Sequence, residues 1–307
     1  MLKRWWIYQQ ERFPIFSNGI LILVFSTSAV SYSALLREQF PTFESLTVAA
    51  VSTFLFFLLL RIVDEFKDFD DDRIYRPYRP VPRGLISLKE LGLLGVFSLF
   101  AQLGLALYMS RSLAILLSVV WFYFVLMSQD FFLYKRLKGH PVAYLLSHNV
   151  IVPLIALYAT ACDWLLMKSA IPPAVIWFLI TTAMNGLILE IGRKIRAPND
   201  EEVGVDSYSS LWGRDNAVLV WVTVICFSAV AAFWTAKQID FVRPMNLILL
   251  VLGIGASMVA YSFFNHPTRK SAKWVNLMSG LWALFTYLGL GVIPLLLRYE
   301  IHLPFSG

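Results

Sequence analysis

The chain has 307 residues, of which 58% are hydrophobic and 15% charged, and its mean hydropathy is +0.65. Soluble globular domains are about 25% charged, so this composition excludes an ordinary soluble domain and places most of the chain in lipid. The net charge of +6 is carried in short loops beside apolar segments, without a nucleic-acid-binding motif, so we expect no nucleic-acid partner. No Gly/Ser-rich linker or low-complexity stretch divides the sequence, which predicts a single membrane-embedded domain over residues 1–307.

Nine apolar segments without Asp, Glu, Lys or Arg follow one another along the chain. They are residues 13–36, 45–60, 91–110, 112–129, 141–162, 169–189, 216–236, 244–265 and 274–297. A helix needs about 20 apolar residues to cross a hydrocarbon core of about 30 Å, and the short second segment reaches that length if it continues to Val63. Because lipid offers the backbone no hydrogen-bond partner, the sequence predicts an all-α bundle of about nine transmembrane helices.

Basic residues are divided unequally between the two sets of alternating loops. Of the 26 Lys and Arg residues, 20 fall on the N-terminal side of the predicted membrane and six on the other side. Basic loops stay in the cytoplasm, so we expect the N-terminus and the larger polar loops there, in what we take to be a bacterial inner (cell) membrane. No small-residue cleavage site follows the opening Met-Leu-Lys-Arg-Trp-Trp, so no cleaved signal peptide is expected.

The loop after the second predicted helix begins with acidic residues. Five Asp and one Glu fall within residues 64–72. If the helix continues into this loop, Asp64, Asp68 and Asp72 stand at i, i+4 and i+8 on one face. Such a row repels itself unless cations intervene, and Mg²⁺ binds one or two carboxylates together with phosphate oxygens. The row is therefore suited to a metal-bound diphosphate, and a solvated acidic helix end is the alternative.

Basic residues follow directly, alternating with prolines and leading through Gly84 to the third helix. They are Arg73, Arg76, Arg79 and Arg83. Guanidinium groups form paired hydrogen bonds with phosphate oxygens. The loop thus offers carboxylates for metal ions and guanidinium groups for phosphates.

The stretch from Asp64 to Ser87 resembles the first signature of the UbiA family of intramembrane prenyltransferases. In that signature Asn or Asp, Asp and Asp recur at four-residue intervals before Arg, Arg-Pro and a Pro-x-Gly turn. The resemblance implies a nine-helix bundle with a cytoplasmic cap of polar loops over a membrane-embedded cavity. It also implies that the catalytic carboxylates bind Mg²⁺ and that neighbouring cations bind the substrate. The implied metal ligands and catalytic residues are Asp64, Asp68 and Asp72, and the implied substrate ligands are Lys67, Arg73 and Arg79.

The family's second acidic signature should follow the sixth helix, where residues 204–213 are similar to it. Aligned on that stretch, Asp200 takes the place of the last Asp, but Arg196 stands where an earlier Asp is usual. The implied second metal site is therefore incomplete.

Two arrangements of this second region remain open. Glu190 and Asp200 could together supply oxygen ligands to a metal ion. Alternatively, Arg193, Lys194 and Arg196 could bind the diphosphate without a metal. Glu190 could also form salt bridges to Arg193 and Lys194, which share its helix face.

A third polar loop, residues 130–141, lies on the same predicted side of the membrane. By resemblance Lys135 and Arg136 are offered to the diphosphate, although membrane topology alone also explains them. His140 and His148 are candidate acid–base groups, but a lone His at a membrane edge more often bonds a neighbouring carbonyl.

Four amides lie at predicted membrane depth: Asn18, Gln102, Asn149 and Asn185. Polar groups at this depth usually form helix–helix hydrogen bonds or line a cavity. We take Asn18 as a further candidate substrate ligand.

The expected reaction is Mg²⁺-dependent transfer of an isoprenyl group from an allylic isoprenyl diphosphate to an acceptor within the membrane. The expected partners are the isoprenyl diphosphate, a lipophilic or aromatic acceptor, and membrane lipid. An aromatic acceptor rests on analogy with the family. The alternatives are a UbiA-type terpene cyclase, in which the substrate's own double bond captures the cation, and a non-catalytic lipid-binding or transport relative.

Overall fold

The computed structural model of the chain describes residues 2–133, 136, 137 and 139–302, and for residues 299–302 it describes the backbone alone. Within this part, nine helical segments are long and apolar enough to cross a membrane. All the regular secondary structure of the described residues is helical. The prediction of an all-α integral membrane bundle is confirmed.

The α-helices are numbered α1 to α14 in chain order. They are α1 Leu2–Arg12, α2 Ile15–Leu36, α3 Phe43–Lys67, α4 Phe69–Tyr75, α5 Leu88–Met109, α6 Arg111–Ser128, α7 Pro141–Asn149, α8 Ile151–Trp164, α9 Val175–Arg193, α10 Tyr208–Trp212, α11 Arg214–Lys237, α12 Val242–Asn265, α13 Arg269–Tyr287 and α14 Ile293–His302. Helices α7 and α8 together form one span, and α13 and α14 form another through the π-helical turn Leu288–Val292.

The second spanning helix, α3, extends further than the apolar segment that predicted it. Thr42 starts α3 by accepting a hydrogen bond from the amide of Ser45, and the helix continues to Lys67. The added turns carry charged side chains, which are tolerated at a helix end where they reach water. As a result, α3 delivers Asp64 and Lys67 directly to the polar end of the bundle.

The short N-terminal helix α1 is fastened to the same polar end. Arg12 forms a buried ion pair with Glu65 of α3. Tyr8 packs in a small apolar cluster that includes Ile62 and Ile86. Since Val81 and Ile86 of the first polar loop belong to this cluster, α1 helps to hold that loop against the bundle.

Amides at membrane depth join neighbouring helices, as predicted. Gln102 donates to the carbonyl of Ser52 at 2.9 Å, and Asn149 donates to the carbonyl of Ala183 at 2.8 Å. The carbonyl oxygen of Asn185 accepts a hydrogen bond from Ser228 at 2.9 Å. These three amides stabilise helix–helix contacts.

Candidate active site

The aspartate row, which we define as Asp64, Asp68 and Asp72, does not lie on one continuous helix. Helix α3 ends at Lys67 and α4 begins at Phe69, with Asp68 between them at φ −88° and ψ 1°. Helical backbone hydrogen bonds nevertheless continue through the break. The amide of Asp68 donates to the carbonyl of Asp64, and the amide of Asp72 donates to the carbonyl of Asp68. The three side chains therefore still occupy successive turns.

The aspartates are close enough to repel one another. Burial raises the pKa of Asp68, and the charges of Asp64 and Asp72 raise it further, while Arg76 opposes them. A cation bound at this position would relieve the repulsion.

Asp72 differs from the other two members of the row because it is buried, with 1% of its surface exposed. Its carboxylate forms ion pairs with Arg76 and with Nη1 of Arg79, the latter at 2.7 Å. The predicted metal ligand Asp72 thus holds two of the loop arginines in place.

Asp64 and Asp68 present carboxylates that are open to a ligand. Their side chains are 48% and 42% exposed, and their cationic neighbours are more distant, with Arg61 at 3.4 Å from Asp64 and Arg76 at 4.0 Å from Asp68. Among the described residues, no group of three His, Cys, Asp or Glu is placed to hold a metal ion by itself. Two open carboxylates fit Mg²⁺ bound jointly with substrate phosphates and water.

Two of the predicted basic ligands in the first loop, Arg79 and Arg73, differ in how far they are buried. Arg79 is half-buried against Asp72, and burial lowers its pKa, while the hydrogen bond from Arg79 to Asp72 opposes that shift. Arg73 is exposed and lies over the ring of Phe69 at 5.6 Å. Arg79 is therefore held within the site, and Arg73 lies on its surface.

The ends of α9 and α3 carry groups that interact. The charge of Asp64 acts on Arg193, and the charge of Arg193 acts on Tyr208. We call this group of residues the mouth, and define it by Asp64, Asp68, Arg193 and Tyr208. Burial raises the pKa of Tyr208, with Glu190 adding to the shift and Arg193 opposing it.

Glu190 forms the salt bridges that were one of its predicted alternatives. Its carboxylate lies 2.6 Å from Arg193 and 3.0 Å from Lys194. Asp200 instead lies 3.7 Å from Arg269. Within the described part of the chain no contact joins Glu190 to Asp200, so the two predicted ligands of a second metal are held by separate cations.

Arg196 lies in the loop that follows α9. Its amide donates to Ser209, and its guanidinium lies 3.6 Å from Glu202. Tyr78 of the first loop donates to the same Glu202 at 2.9 Å. Nearby, the ring of Tyr75 occupies the space that a Cβ would need at Gly204, which also has a positive φ of 74°. The first and second polar loops therefore contact each other, as a cap requires.

The third polar loop and α7 bring two residues to the site that the sequence did not single out, Asp130 and Tyr144. Lys67 forms an ion pair with Asp130 and donates to the hydroxyl of Tyr144 at 2.9 Å. His148 bonds the carbonyl of Tyr144, as a membrane-edge His was expected to do, and also contacts Asp130. An isolated Asp at the end of an apolar segment was the available signal for Asp130.

Three predicted ligands remain. Lys135 lies outside the described residues. Arg136 is exposed, and its carbonyl contacts the ring of His140. Asn18 lies in the first turns of α2 beside Gly19, which lines an apolar groove between α2 and α3, and no described contact joins Asn18 to the aspartate row.

The sequence and the fold were compared with those of known proteins. A model of the UbiA prenyltransferase family matches residues 23–285. A comparison with curated proteins gave no match. Among solved structures, the fold is similar to the apo structure of a UbiA homolog from Aeropyrum pernix K1, with a TM-score of 0.66, 14% identity and coverage of 86% of this chain and 96% of that chain.

Two further structures are similar over nearly their whole length. A UbiA homolog from Archaeoglobus fulgidus bound to GPP and Mg²⁺ has a TM-score of 0.55 and 11% identity, with 92% of this chain and 99% of that chain covered. A structure of digeranylgeranylglyceryl phosphate synthase has a TM-score of 0.58 and 14% identity, with 94% and 99% covered. The family match covers most of the sequence, and the fold similarity agrees with it. The chain therefore belongs to the UbiA prenyltransferase family.

Proposed function

We propose that this protein transfers an isoprenyl group from an allylic isoprenyl diphosphate to a lipophilic, aromatic acceptor within the membrane, with Mg²⁺ as cofactor. The observation that carries the proposal is the mouth, where the carboxylates of Asp64 and Asp68 are open and Arg193 interacts electrostatically with Asp64. Open carboxylates and a guanidinium at one site suit a diphosphate that is bound both through metal and directly. The GPP and Mg²⁺ bound to the Archaeoglobus fulgidus homolog support this reading.

The residues of the mouth have distinct roles in the proposed reaction. Mg²⁺ held by Asp64 and Asp68 would act as a Lewis acid on the diphosphate. Arg193 bonds the phosphate oxygens as negative charge develops on them, and Asp72 positions Arg79 for the same purpose. The bond between the allylic carbon and the diphosphate oxygen breaks, its electrons leave with the diphosphate, and acceptor electrons form the new carbon–carbon bond before a proton is released.

We also propose that the mouth faces the cytoplasm of a bacterial cell, with the protein in the inner membrane. The support is the unequal distribution of basic residues, 20 of 26 on the side of the mouth. A cytoplasmic mouth would receive a water-soluble diphosphate head group, while the isoprenyl tail occupies the apolar bundle.

The test is an assay of purified protein with Mg²⁺, isoprenyl diphosphates of several chain lengths and a pool of aromatic acceptors. Wild type should release diphosphate and form a prenylated acceptor. Asp68→Asn should lose about 100-fold or more in rate, the scale for one charge-stabilising group in an active site. Asp71→Asn is the matched control, because Asp71 is an exposed neighbour outside the aspartate row, and it should keep wild-type activity.

Product analysis separates the outcomes. A cyclic hydrocarbon formed without acceptor would replace the transferase with a terpene cyclase. No diphosphate release by wild type with any substrate, or equal release by Asp68→Asn, would reject an enzyme that uses this site.

A further inference from the structure

A polar cluster at the edge of the mouth joins three separate elements. We call it the Lys67 cluster and define it as Lys67 of α3, Asp130 after α6, and Tyr144 and His148 of α7. Lys67 contacts both Asp130 and Tyr144, and Nε2 of His148 lies 3.1 Å from the Asp130 oxygen that Lys67 contacts. The side chain of Asp130 is only 7% exposed. Asp130 thus neutralises the charge of Lys67 and holds it beside Tyr144.

The backbone at Asp130 is strained. Asp130, Phe131 and Phe132 have φ values of 49°, 55° and 57° in succession. L-residues other than glycine rarely adopt this left-handed region, and such strain persists where surrounding contacts enforce it, commonly at functional sites. Here the contacts of Asp130 with Lys67 and His148 hold the carboxylate in this position.

The hydrogen-bond roles in the Lys67 cluster follow from chemistry. A lysine ammonium has three donors and no acceptor, so the oxygen of Tyr144 must accept from Lys67. Among the described residues no acceptor is found for the hydroxyl hydrogen of Tyr144. The Tyr144 ring is fixed by stacking on His148, with centroids 3.9 Å apart and planes at 16°. In the part of the chain that the structure describes, Tyr144 is therefore an oriented donor without an acceptor.

The location of Tyr144 indicates where that acceptor belongs. Its hydroxyl lies 2.9 Å from Nζ of Lys67, the last residue of α3, which directly precedes Asp68 and lies one turn after Asp64. Tyr144 also interacts electrostatically with Asp64 and with Tyr208, which both belong to the mouth. The hydroxyl accordingly lies at the end of α3, beside the carboxylates to which the proposed function assigns the diphosphate.

We propose that Tyr144 donates a hydrogen bond to a diphosphate oxygen of the substrate, and that Lys67 is a positioning residue that aims and polarises this hydroxyl. The inference rests on the proposed function and reassigns Lys67, which the family resemblance implied as a direct substrate ligand. A cation bonded to the phenol oxygen makes its O–H a stronger donor. This bond strengthens as charge develops on the departing diphosphate, so it favours the transition state.

The experiment measures equilibrium binding of an isoprenyl thiolodiphosphate, which resists ionisation, in the presence of Mg²⁺. Tyr144→Phe keeps the stacked ring and removes the donor, so binding should weaken about tenfold or more, as for a hydrogen bond to a charged group. The matched control is Tyr123→Phe, which removes a hydroxyl that donates to the carbonyl of Ser147 at 2.5 Å. This control should bind within about twofold of wild type. Inorganic diphosphate, as a second probe, should show the same pattern if the contact is to phosphate oxygen.

A double-mutant cycle tests the role of Lys67. If Lys67 acts through Tyr144, the effect of Tyr144→Phe should be smaller in a Lys67→Met background, because an unpolarised hydroxyl contributes less. Additive effects would contradict the positioning role. Replacement of Tyr144 with 3-fluorotyrosine keeps the ring and makes the hydroxyl a stronger donor, so the analogue should bind more tightly.

The outcomes distinguish this inference from the proposed function. If wild type, Tyr144→Phe and the fluorotyrosine variant all bind the probes with equal affinity, the role of Tyr144 is overturned and the proposed function stands. Failure of wild type to bind either probe with Mg²⁺ rejects the proposed function itself.

Discussion

At the scale of single residues, burial makes the three members of the aspartate row unequal. Asp72 is enclosed with Arg76 and Arg79, whereas Asp64 and Asp68 are half-exposed. A buried ion pair that loses one partner leaves an uncompensated charge, while an exposed pair contributes little. The row thus combines one structural carboxylate with two that are open to a ligand.

Asp72→Ala should lower the free energy of unfolding by up to about 3–5 kcal/mol, because the buried Asp72 is the counter-ion of two half-buried guanidinium groups. Asp64→Ala should change it by less than about 1 kcal/mol, since the Asp64 side chain is 48% exposed and lies 3.4 Å from Arg61. Thermal unfolding of the purified variants in detergent measures both. Equal losses of stability in the two variants would contradict the assignment of Asp72 as a structural carboxylate and Asp64 as an open one.

Asp68→Asn should stabilise the protein in the absence of Mg²⁺, by a few tenths of a kcal/mol for relief of like charge. The pKa of Asp68 is raised by burial and by its acidic neighbours, so its ionised form opposes folding. This penalty is fully present above the raised pKa and disappears as the pH falls to the ordinary value of about 3.9. Unfolding of Asp68→Asn and wild type should therefore converge at low pH, and a gain that grows with acidity would contradict the assignment.

At the scale of elements, the last span packs very closely on the first. The π-helical turn Leu288–Val292 interrupts this span and brings Gly291 against the backbone of Ser28 in α2. A Cβ at Gly291 would overlap the Cα of Ser28. A Cβ at Gly280, which lies in α13 of the same span, would meet no atom within 4 Å. Close approach of the two backbones therefore requires glycine at position 291.

Gly291→Ala should destabilise the bundle by about 1–3 kcal/mol, the usual cost of overpacking. Gly280→Ala is the matched control, and we expect no loss, because Ala has a higher helix propensity than Gly and meets no neighbour. Thermal unfolding in detergent compares the two. If both variants are as stable as wild type, α2 and the last span do not approach this closely.

At the scale of the whole molecule, the described residues contain nine candidate spans, an odd number, so α1 and the end of α14 lie on opposite sides of the membrane. Helices α3 and α9 belong to the second and sixth spans, so both end on the side of α1. The cap is completed by loops that follow even-numbered spans. A single orientation in the membrane thus puts all four residues of the mouth on one side.

Cysteine labelling in whole cells checks this orientation. Gln39→Cys, in the loop between α2 and α3, should react with a membrane-impermeant maleimide in intact cells. Lys270→Cys, at the start of α13, should react only after permeabilisation, because basic loops stay inside. Wild type is the control, since Cys162 is buried and Cys226 lies on the spanning helix α11. The reverse pattern would place the mouth outside the cytoplasm.

The sequence by itself determined the nine candidate spans seen in the described residues and the position of the aspartate row. Both depend on neighbours along the chain: lipid requires long apolar helices, and a four-residue spacing brings side chains together on successive turns. The tertiary structure decided which of the charged side chains are open to a ligand and which are paired with other residues. It encloses Asp72, pairs Glu190 with its own helix neighbours, and brings Lys67 to Asp130 and Tyr144, which are 63 and 77 residues away. Such contacts arise from helix packing, which no local pattern of residues encodes.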